Sequence, residues 1–317
     1  MRAALLSIVM TSAEFSERSL RQRALFVIRT FTLIMAALLL GAPFLLGFLF
    51  MLGLTAPGCR GETSPARFNL PFEEVSFPSS EFGRPVPAYF IPGAGERARA
   101  AVIIVPTLHA PRGDRMAEIL VYHRAGYSVL TYSSRGCVGP VANSLGYRDA
   151  SAIGDAVSYL RQRPEIDTAR IGAHGFSAGG AAALMGAARF PDLAAVVSMG
   201  GYHDFGVYIE NDMRQLGLAG DLLQAGAFAA YRLMTGDPIA VLSPITVIDQ
   251  IAPRPILLIY GAGEPSRYAG ELMAAAGAHA DLWLVPGAGH GDYVAAAPEA
   301  FAERITAFFD EAFGFAR

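Results

Sequence analysis

The sequence predicts an α/β fold: a mostly parallel, doubly wound sheet interrupted by a helical insertion and preceded by one helix of membrane-spanning length. Three observations predict it. After residue 72, short β-branched apolar runs alternate with helix-length segments, the pattern of successive βαβ units. Around residues 201–252 that alternation lapses into helical patches. Before residue 55 the chain carries an uncharged Leu/Phe/Met/Ala-rich run with no polar face, unlike the amphipathic helix of a soluble protein. The 317 residues are 53% hydrophobic and 17% charged, ample material for such a core.

Taken in order, residues 1–30 are expected to form a cytoplasmic segment, 31–54 a transmembrane helix, 55–71 a linker, and 72–317 the folded domain. Phe31 to Leu54 would extend about 36 Å as a helix, enough to cross a hydrocarbon layer of about 30 Å. Gly41, Pro43, Gly47 and Gly53 would loosen or bend it, which a membrane helix tolerates. A cleaved signal peptide is the rival reading, but the run is longer than an ordinary signal core, starts late, and lacks an Ala-x-Ala site. Ala56-Pro57-Gly58-Cys59 faintly resembles a lipoprotein cleavage site, although Pro57 and the distance from Met1 fit poorly. Met10 is an alternative start. Arg18, Arg21, Arg23 and Arg29 precede the span and only Arg60 and Arg67 follow closely, so the N-terminus should stay in the cytoplasm and the domain should face outward. There Cys59 and Cys137 could pair; sequence alone does not place their Cα atoms within reach.

The domain opens with a hairpin, Glu73–Phe77 and Pro85–Ile91, joined through a turn ending at Gly83. Ala100–Val105 reads as a strand covered on both faces. Arg115–Ala125, Tyr127–Tyr132, Ser151–Gln162 and Ala169–Ala173 then alternate helix and strand. Ala181–Phe190, Ala194–Met199, Pro255–Tyr260, Ser266–Gly277, Ala280–Val285 and Pro298–Phe313 continue the pattern. In the insertion, Tyr208–Leu216 and Leu222–Met234 are helical patches. Their apolar positions Met213, Leu216, Leu222, Leu223, Phe228 and Tyr231 would either cap the carboxyl edge of the sheet or pack as ordinary helices.

The chemistry centres on Arg170-Ile171-Gly172-Ala173-His174-Gly175-Phe176-Ser177-Ala178-Gly179-Gly180. This is a strand, a sharp turn at Ser177, and a helix. Glycines two before and two after the serine leave room for a strained turn that lifts its hydroxyl clear of the backbone. The same turn aims the Ala178 N–H and the helix start at one point, where a developing oxyanion would be held. In a chain with 34 glycines the pentapeptide alone is weak evidence. Context strengthens it. A serine hydroxyl needs a base, itself oriented by a carboxylate. Glu264 follows the strand ending at Tyr260, and His290 follows the strand ending at Val285, giving the order serine, acid, histidine.

From about Phe72 to Phe313 the chain resembles the α/β-hydrolase superfamily, particularly membrane-anchored dienelactone-hydrolase and prolyl-oligopeptidase-like esterases and peptidases. Further residues carry the resemblance: Ser133-Ser134-Arg135-Gly136 after a strand, Ser243-Pro244-Ile245, and Ala252-Pro253-Arg254-Pro255 leading into Leu258-Ile259-Tyr260-Gly261. The resemblance implies Ser177 as nucleophile, His290 as base and Glu264 as orienting acid. Where relatives have His-Gly after the corresponding strand, this chain has Pro106-Thr107-Leu108-His109, so Thr107 or Leu108 should offer the second oxyanion N–H beside Ala178. The acid is Glu where Asp is commoner, which leaves Asp204 as an alternative acid. His174 is read as a buried structural group, His109 as either lining the oxyanion side or solvated, and Asp292 as fixing its loop. His123, His203 and His279 have no partner visible in the sequence.

The leading expectation is an outward-facing, membrane-tethered serine hydrolase that takes a small-molecule acyl substrate, an ester with a lipid or peptide as further candidates, through an acyl-enzyme. An amino- or oligopeptidase on the same scaffold and a catalytically silent binding protein are the alternatives. The two cysteines and six histidines show no metal-ligand spacing, so neither metal nor cofactor is expected. A net charge of −3 without a basic block beyond the N-terminus gives no reason to expect nucleic acid.

Overall fold

The computed structural model of the protein describes residues 2–79 and 81–315. Helix α1 (Arg2–Thr55) is a single element, so the apolar run expected at 31–54 is the carboxyl part of a longer rod. Its portion Arg21–Thr55 is long and apolar enough to cross a membrane.

The sheet has eight strands among the described residues, in the order β1-β2-β4-β3-β5-β6-β7-β8. These are β1 (Glu73–Phe77), β2 (Val86–Ile91), β3 (Ala101–Val105), β4 (Ser128–Tyr132), β5 (Ile171–Phe176), β6 (Ala195–Met199), β7 (Ile256–Gly261) and β8 (Ala280–Val285). β1 pairs antiparallel with β2 and β2 with β4, and every later pairing is parallel. The connecting helices are α2 (Met116–Ala125), α3 (Arg135–Val138), α4 (Asp149–Leu160), α5 (Ala178–Arg189), α6 (Phe205–Met213), α7 (Leu218–Thr235), α8 (Ser266–Ala276), α9 (Tyr293–Ala296) and α10 (Pro298–Phe313).

β3 shows why the fold is doubly wound. All five of its residues are buried. Ala101, Ile103 and Val105 face the core under α4, α5 and α8. Val102 and Ile104 face the core built with α2 and α10, where Tyr122, Phe301 and Phe309 are fully buried. Only a continuous apolar run can serve both faces, since side chains alternate across a strand. The carboxyl ends of all the parallel strands then lie on one edge, where the loops gather.

The insertion starts earlier than the expected Tyr208 because Asp204 caps α6, its side chain accepting the Val207 N–H at 2.9 Å. Its second helix lies along α1. A Cβ on Gly47 would sit 1.8 Å from the Leu223 carbonyl oxygen, and one on Gly226 would sit 1.9 Å from that of Phe44, so glycine is what lets the two backbones touch. Both helices send their carboxyl ends to the same loop. The Asn143 N–H donates to the Thr55 carbonyl at 2.8 Å, and the Tyr231 hydroxyl donates to that of Ser144 at 3.2 Å. Arg148 reaches the Thr235 carbonyl at 3.4 Å. With their middles and their carboxyl ends both together, α1 and α7 run side by side in the same direction. Met51 of α1 is fully buried among Leu145, Ile209, Ala227 and Tyr231.

The stretch after α1, expected as a linker, is pinned to the domain. Cys59 and Cys137, whose pairing the sequence leaves open, form a disulfide with Cα atoms 4.7 Å apart. The bond removes Cys59 as a free thiol, against the faint lipoprotein likeness. The Arg60 N–H donates to the His109 carbonyl at 2.9 Å, and Glu62 pairs with Arg112 at 2.6 Å.

Candidate active site

β5 delivers Ser177 at its carboxyl end, and the turn there is sharp enough to hold the serine at φ 55, ψ −123. That conformation is costly for a residue with a Cβ and recurs at functional turns. Its neighbours leave no choice of residue. A Cβ on Gly175 would lie 2.0 Å from the Gly179 carbonyl oxygen, and one on Gly179 would lie 2.7 Å from the carbonyl oxygens of Val105 and Pro106. The loop after β3 therefore passes against the start of α5.

The three sequence-predicted side chains meet. His290 Nε2 lies 3.2 Å from Ser177 Oγ, and His290 Nδ1 lies 2.8 Å from Glu264 Oε2. A carboxylate only accepts, so Nδ1 carries the proton and Nε2 is left to accept from the serine hydroxyl. Glu264 is anchored at its other oxygen, Oε1 accepting the Tyr293 hydroxyl at 2.5 Å and the Gly261 N–H at 2.7 Å. Partial burial pushes the Glu264 pKa up, but the bonds from His290, Tyr293 and Gly261 outweigh it and hold the carboxyl below its ordinary 4.5. The acid thus stays ionised where the imidazole needs it. Phe176 stacks obliquely on His290 with ring centroids 4.8 Å apart, and the Arg115 guanidinium lies 4.3 Å from the Phe176 centroid.

Asp204, the alternative acid, is occupied as the cap of α6 rather than bonded to His290. His174 is buried as expected and contacts the Tyr122 hydroxyl at 2.8 Å through Nδ1. Burial, aided by Arg115, pushes its pKa down to about 3, so it is a neutral core group. His109 is half-buried: its Nδ1 lies 2.9 Å from Asn143 Nδ2 and 3.3 Å from the Gly58 carbonyl oxygen, the latter contact tying the segment after α1 to the domain. His203, without a visible partner in the sequence, lies 3.3 Å from Glu271 and stacks on Tyr268 at 4.2 Å. No group of three or more metal-ligating side chains occurs among the described residues.

A cleft of about 500 Å³ opens over Ser177, Glu264 and His290, walled by Tyr202, Phe205, Tyr208 and Tyr268. None of the six apolar positions that would either cap the site or pack as ordinary helices lines the cleft. Met213, Phe228 and Tyr231 pack into the small core around Met51, Leu223 backs onto Gly47, and Leu216 is 54% exposed. The wall comes instead from the first turns of the insertion and from Tyr268 of α8. Sequence reasoning missed these aromatics and Tyr293; the density of Tyr and Phe from 202 to 208, straight after a strand end, was the available signal. A larger groove of about 790 Å³ lies between α2 and α10, lined by residues such as Leu120, Val121 and Ala302, and it holds none of the candidate catalytic residues.

Comparison with known proteins agrees with this architecture. The profile of the BAAT / acyl-CoA thioester hydrolase C-terminal family matches residues 153–227. Uncharacterized protein PA2218 of Pseudomonas aeruginosa is 46% identical over 68 residues, which are 21% of this chain and 18% of that protein's length. The crystal structure of PA2218 superposes with a TM-score of 0.55 at 21% identity, covering 79% of this chain and 96% of that one. The Pyrococcus furiosus esterase Pf2001 superposes with a TM-score of 0.66 at 19% identity, covering 81% and 97% of the two chains. The α/β hydrolase GrgF from Penicillium sp. superposes at 0.61 with 18% identity, covering 78% and 100%. The chain has the α/β-hydrolase fold, as the resemblance in its motifs implies.

Proposed function

We propose that the protein is a membrane-tethered serine hydrolase that cleaves an ester or related acyl bond through an acyl-enzyme. The observation that carries this is the imidazole of His290, bonded on one side to the serine at the strained turn and on the other to an ionised carboxylate. Ser177 Oγ attacks the substrate carbonyl carbon while His290 Nε2 takes its proton. The tetrahedral oxyanion is held by the Ala178 N–H together with that of Thr107 or Leu108. The intermediate collapses by breaking the bond to the leaving group, which receives the proton from His290. Water then attacks the acyl-enzyme with His290 as base, releasing the acid and returning the proton to Ser177. No step calls on a metal or cofactor. The family profile named for a thioester hydrolase and the fold shared with an esterase both favour acyl transfer.

The tether is α1. Met51 belongs to the core shared with α7, so removing the helix as a leader would take an apolar side chain out of that core. The arginines before the apolar run favour a cytoplasmic N-terminus, and the Cys59–Cys137 bond fits an oxidising compartment for the domain. A fluorophosphonate probe tests the catalytic reading. Labelling at Ser177, together with turnover of a p-nitrophenyl ester, is expected; a protein that neither labels nor turns over any ester or peptide amide in a chain-length panel is the silent binding protein instead.

A further inference from the structure

The topology places the tether and the candidate site on the same edge of the sheet. The chain leaving α1 is received by the loops after β3 and β4, through His109, Gly136 and Cys137. Ser177, Glu264 and His290 follow β5, β7 and β8. The edge that carries the chemistry is therefore the edge from which the apolar helix departs.

The α6–α7 hairpin bridges the two. α6 starts at the cleft wall, with Phe205 and Tyr208, and runs to a turn at Arg214–Leu216 before α7 returns to the domain. Because α7 runs alongside α1 and touches it where Gly226 meets Phe44 and Phe48, the level of Leu218 on α1 follows from helix rise. Eight residues before Gly226 is about 12 Å back along the axis, level with residues 36–40 of α1, Leu38 to Leu40 among them. Those three α1 residues are 57%, 68% and 50% exposed. The hairpin tip beside them exposes Leu216 (54%) and Leu218 (65%), and Val207 (39%) and Tyr208 (38%) form a second exposed apolar patch at the cleft end of α6, with the Glu210–Arg214 ion pair and Asp212 exposed between the two. An exposed apolar tip level with the exposed leucines of a membrane-length helix, and bordered by charged residues above it, fits an apolar phase around the tip and a polar boundary along α6.

We propose that the tip of the α6–α7 hairpin inserts into the bilayer that holds α1, and that the cleft takes esters resident in that bilayer. The substrate class is an amphiphile whose ester group enters the cleft beside Phe205 and Tyr208 at the start of α6. This rests on the hydrolase and tether readings above and adds the source of the substrate. The aromatic wall of Tyr202, Phe205, Tyr208 and Tyr268 suits an apolar chain entering from that side.

The test uses the full chain reconstituted in vesicles of phosphatidylcholine and phosphatidylglycerol. Hydrolysis of p-nitrophenyl acetate, which is water-soluble, is compared with that of p-nitrophenyl palmitate partitioned into the vesicles. The double variant Leu216→Glu/Leu218→Glu is expected to lose about 10-fold or more on the palmitate while staying within about 2-fold on the acetate. Equal rates to wild type on both esters overturn the proposal. A second measurement is independent of turnover and of how that double variant folds. Leu218→Trp in vesicles of dibrominated phosphatidylcholine should be quenched well beyond Trp283, the chain's single native tryptophan. Absence of quenching at position 218 overturns insertion, whether the alternative is a protein partner or water. Failure of the hydrolase reading shows separately, as a wild-type protein inactive on the acetate.

Discussion

Replacing Glu264 with Gln should disable the base by reversing the tautomer of His290. Three donors converge on Glu264: His290 Nδ1–H on Oε2, and the Tyr293 hydroxyl and Gly261 N–H on Oε1. A carboxylate satisfies all three, whereas an amide offers one accepting oxygen and one donating nitrogen. Two donors share the Oε1 position, so the amide oxygen takes it and the NH₂ turns toward His290. Nδ1 must then accept, its proton moves to Nε2, and Nε2 can no longer take the proton of Ser177. The cost is expected at roughly 10³- to 10⁴-fold in kcat, or about 4 to 5.5 kcal/mol of transition-state stabilisation. Steady-state hydrolysis of p-nitrophenyl acetate measures it, with thermal unfolding as the control for folding. A Glu264→Gln enzyme within about 10-fold of wild type would refute the tautomer reasoning, and a larger loss in Asp204→Asn would return the acid to Asp204.

Gly200, at φ 59, backs the imidazole: a Cβ there would fall 2.3 Å from the Tyr293 hydroxyl and 3.0 Å from His290 Cε1. Gly200→Ala is expected to lower kcat about 10- to 100-fold by displacing the ring, and unchanged kinetics would show that the loop gives way. Met51→Ala should cost about 2 to 5 kcal/mol as a core cavity; an unchanged melting temperature of the detergent-solubilised full chain would mean that α1 does not pack on α7. Asp310 accepts from Arg97 Nε and Nη2, both at 2.6 Å, and from the Tyr127 hydroxyl at 2.7 Å. Burial pushes its pKa up, but these bonds outweigh it and hold the folded-state value below the ordinary 3.8. A depressed carboxyl contributes stability above its unfolded pKa and loses it as pH falls through the folded value. Asp310→Asn is therefore expected to be less stable than wild type by about 1 to 3 kcal/mol at neutral pH, with the gap closing in acid below the ordinary aspartate range. A gap that persists unchanged there in denaturant titrations would contradict the assignment.

Much of this was legible in the sequence for physical reasons. Strands buried on both faces must be continuous apolar runs, so β3, β6 and β7 could be placed within a residue or so. Chemistry at the ends of successive strands has a fixed order along the chain, so Ser177, Glu264 and His290 could be chosen before any distance was known. What depends on three-dimensional proximity was not legible. The Cys59–Cys137 bridge joins residues 78 apart. The contact of α1 with α7 lies in Gly226 and in Gly47, the latter of which reads as loosening a helix rather than as a seam. The wall of the cleft stayed open between capping and ordinary packing because helical periodicity marks which residues are apolar but not which neighbour they meet. Phe228 and Tyr231 face a core completed by α1, leaving Phe205 and Tyr208 to face the serine.

The most direct test is the turnover of Ser177→Ala beside wild type on the same soluble ester, both shown to be folded. The hydroxyl on the strained turn is expected to account for about 10⁴-fold or more of the rate. A variant that hydrolyses the ester as fast as wild type would place the chemistry elsewhere.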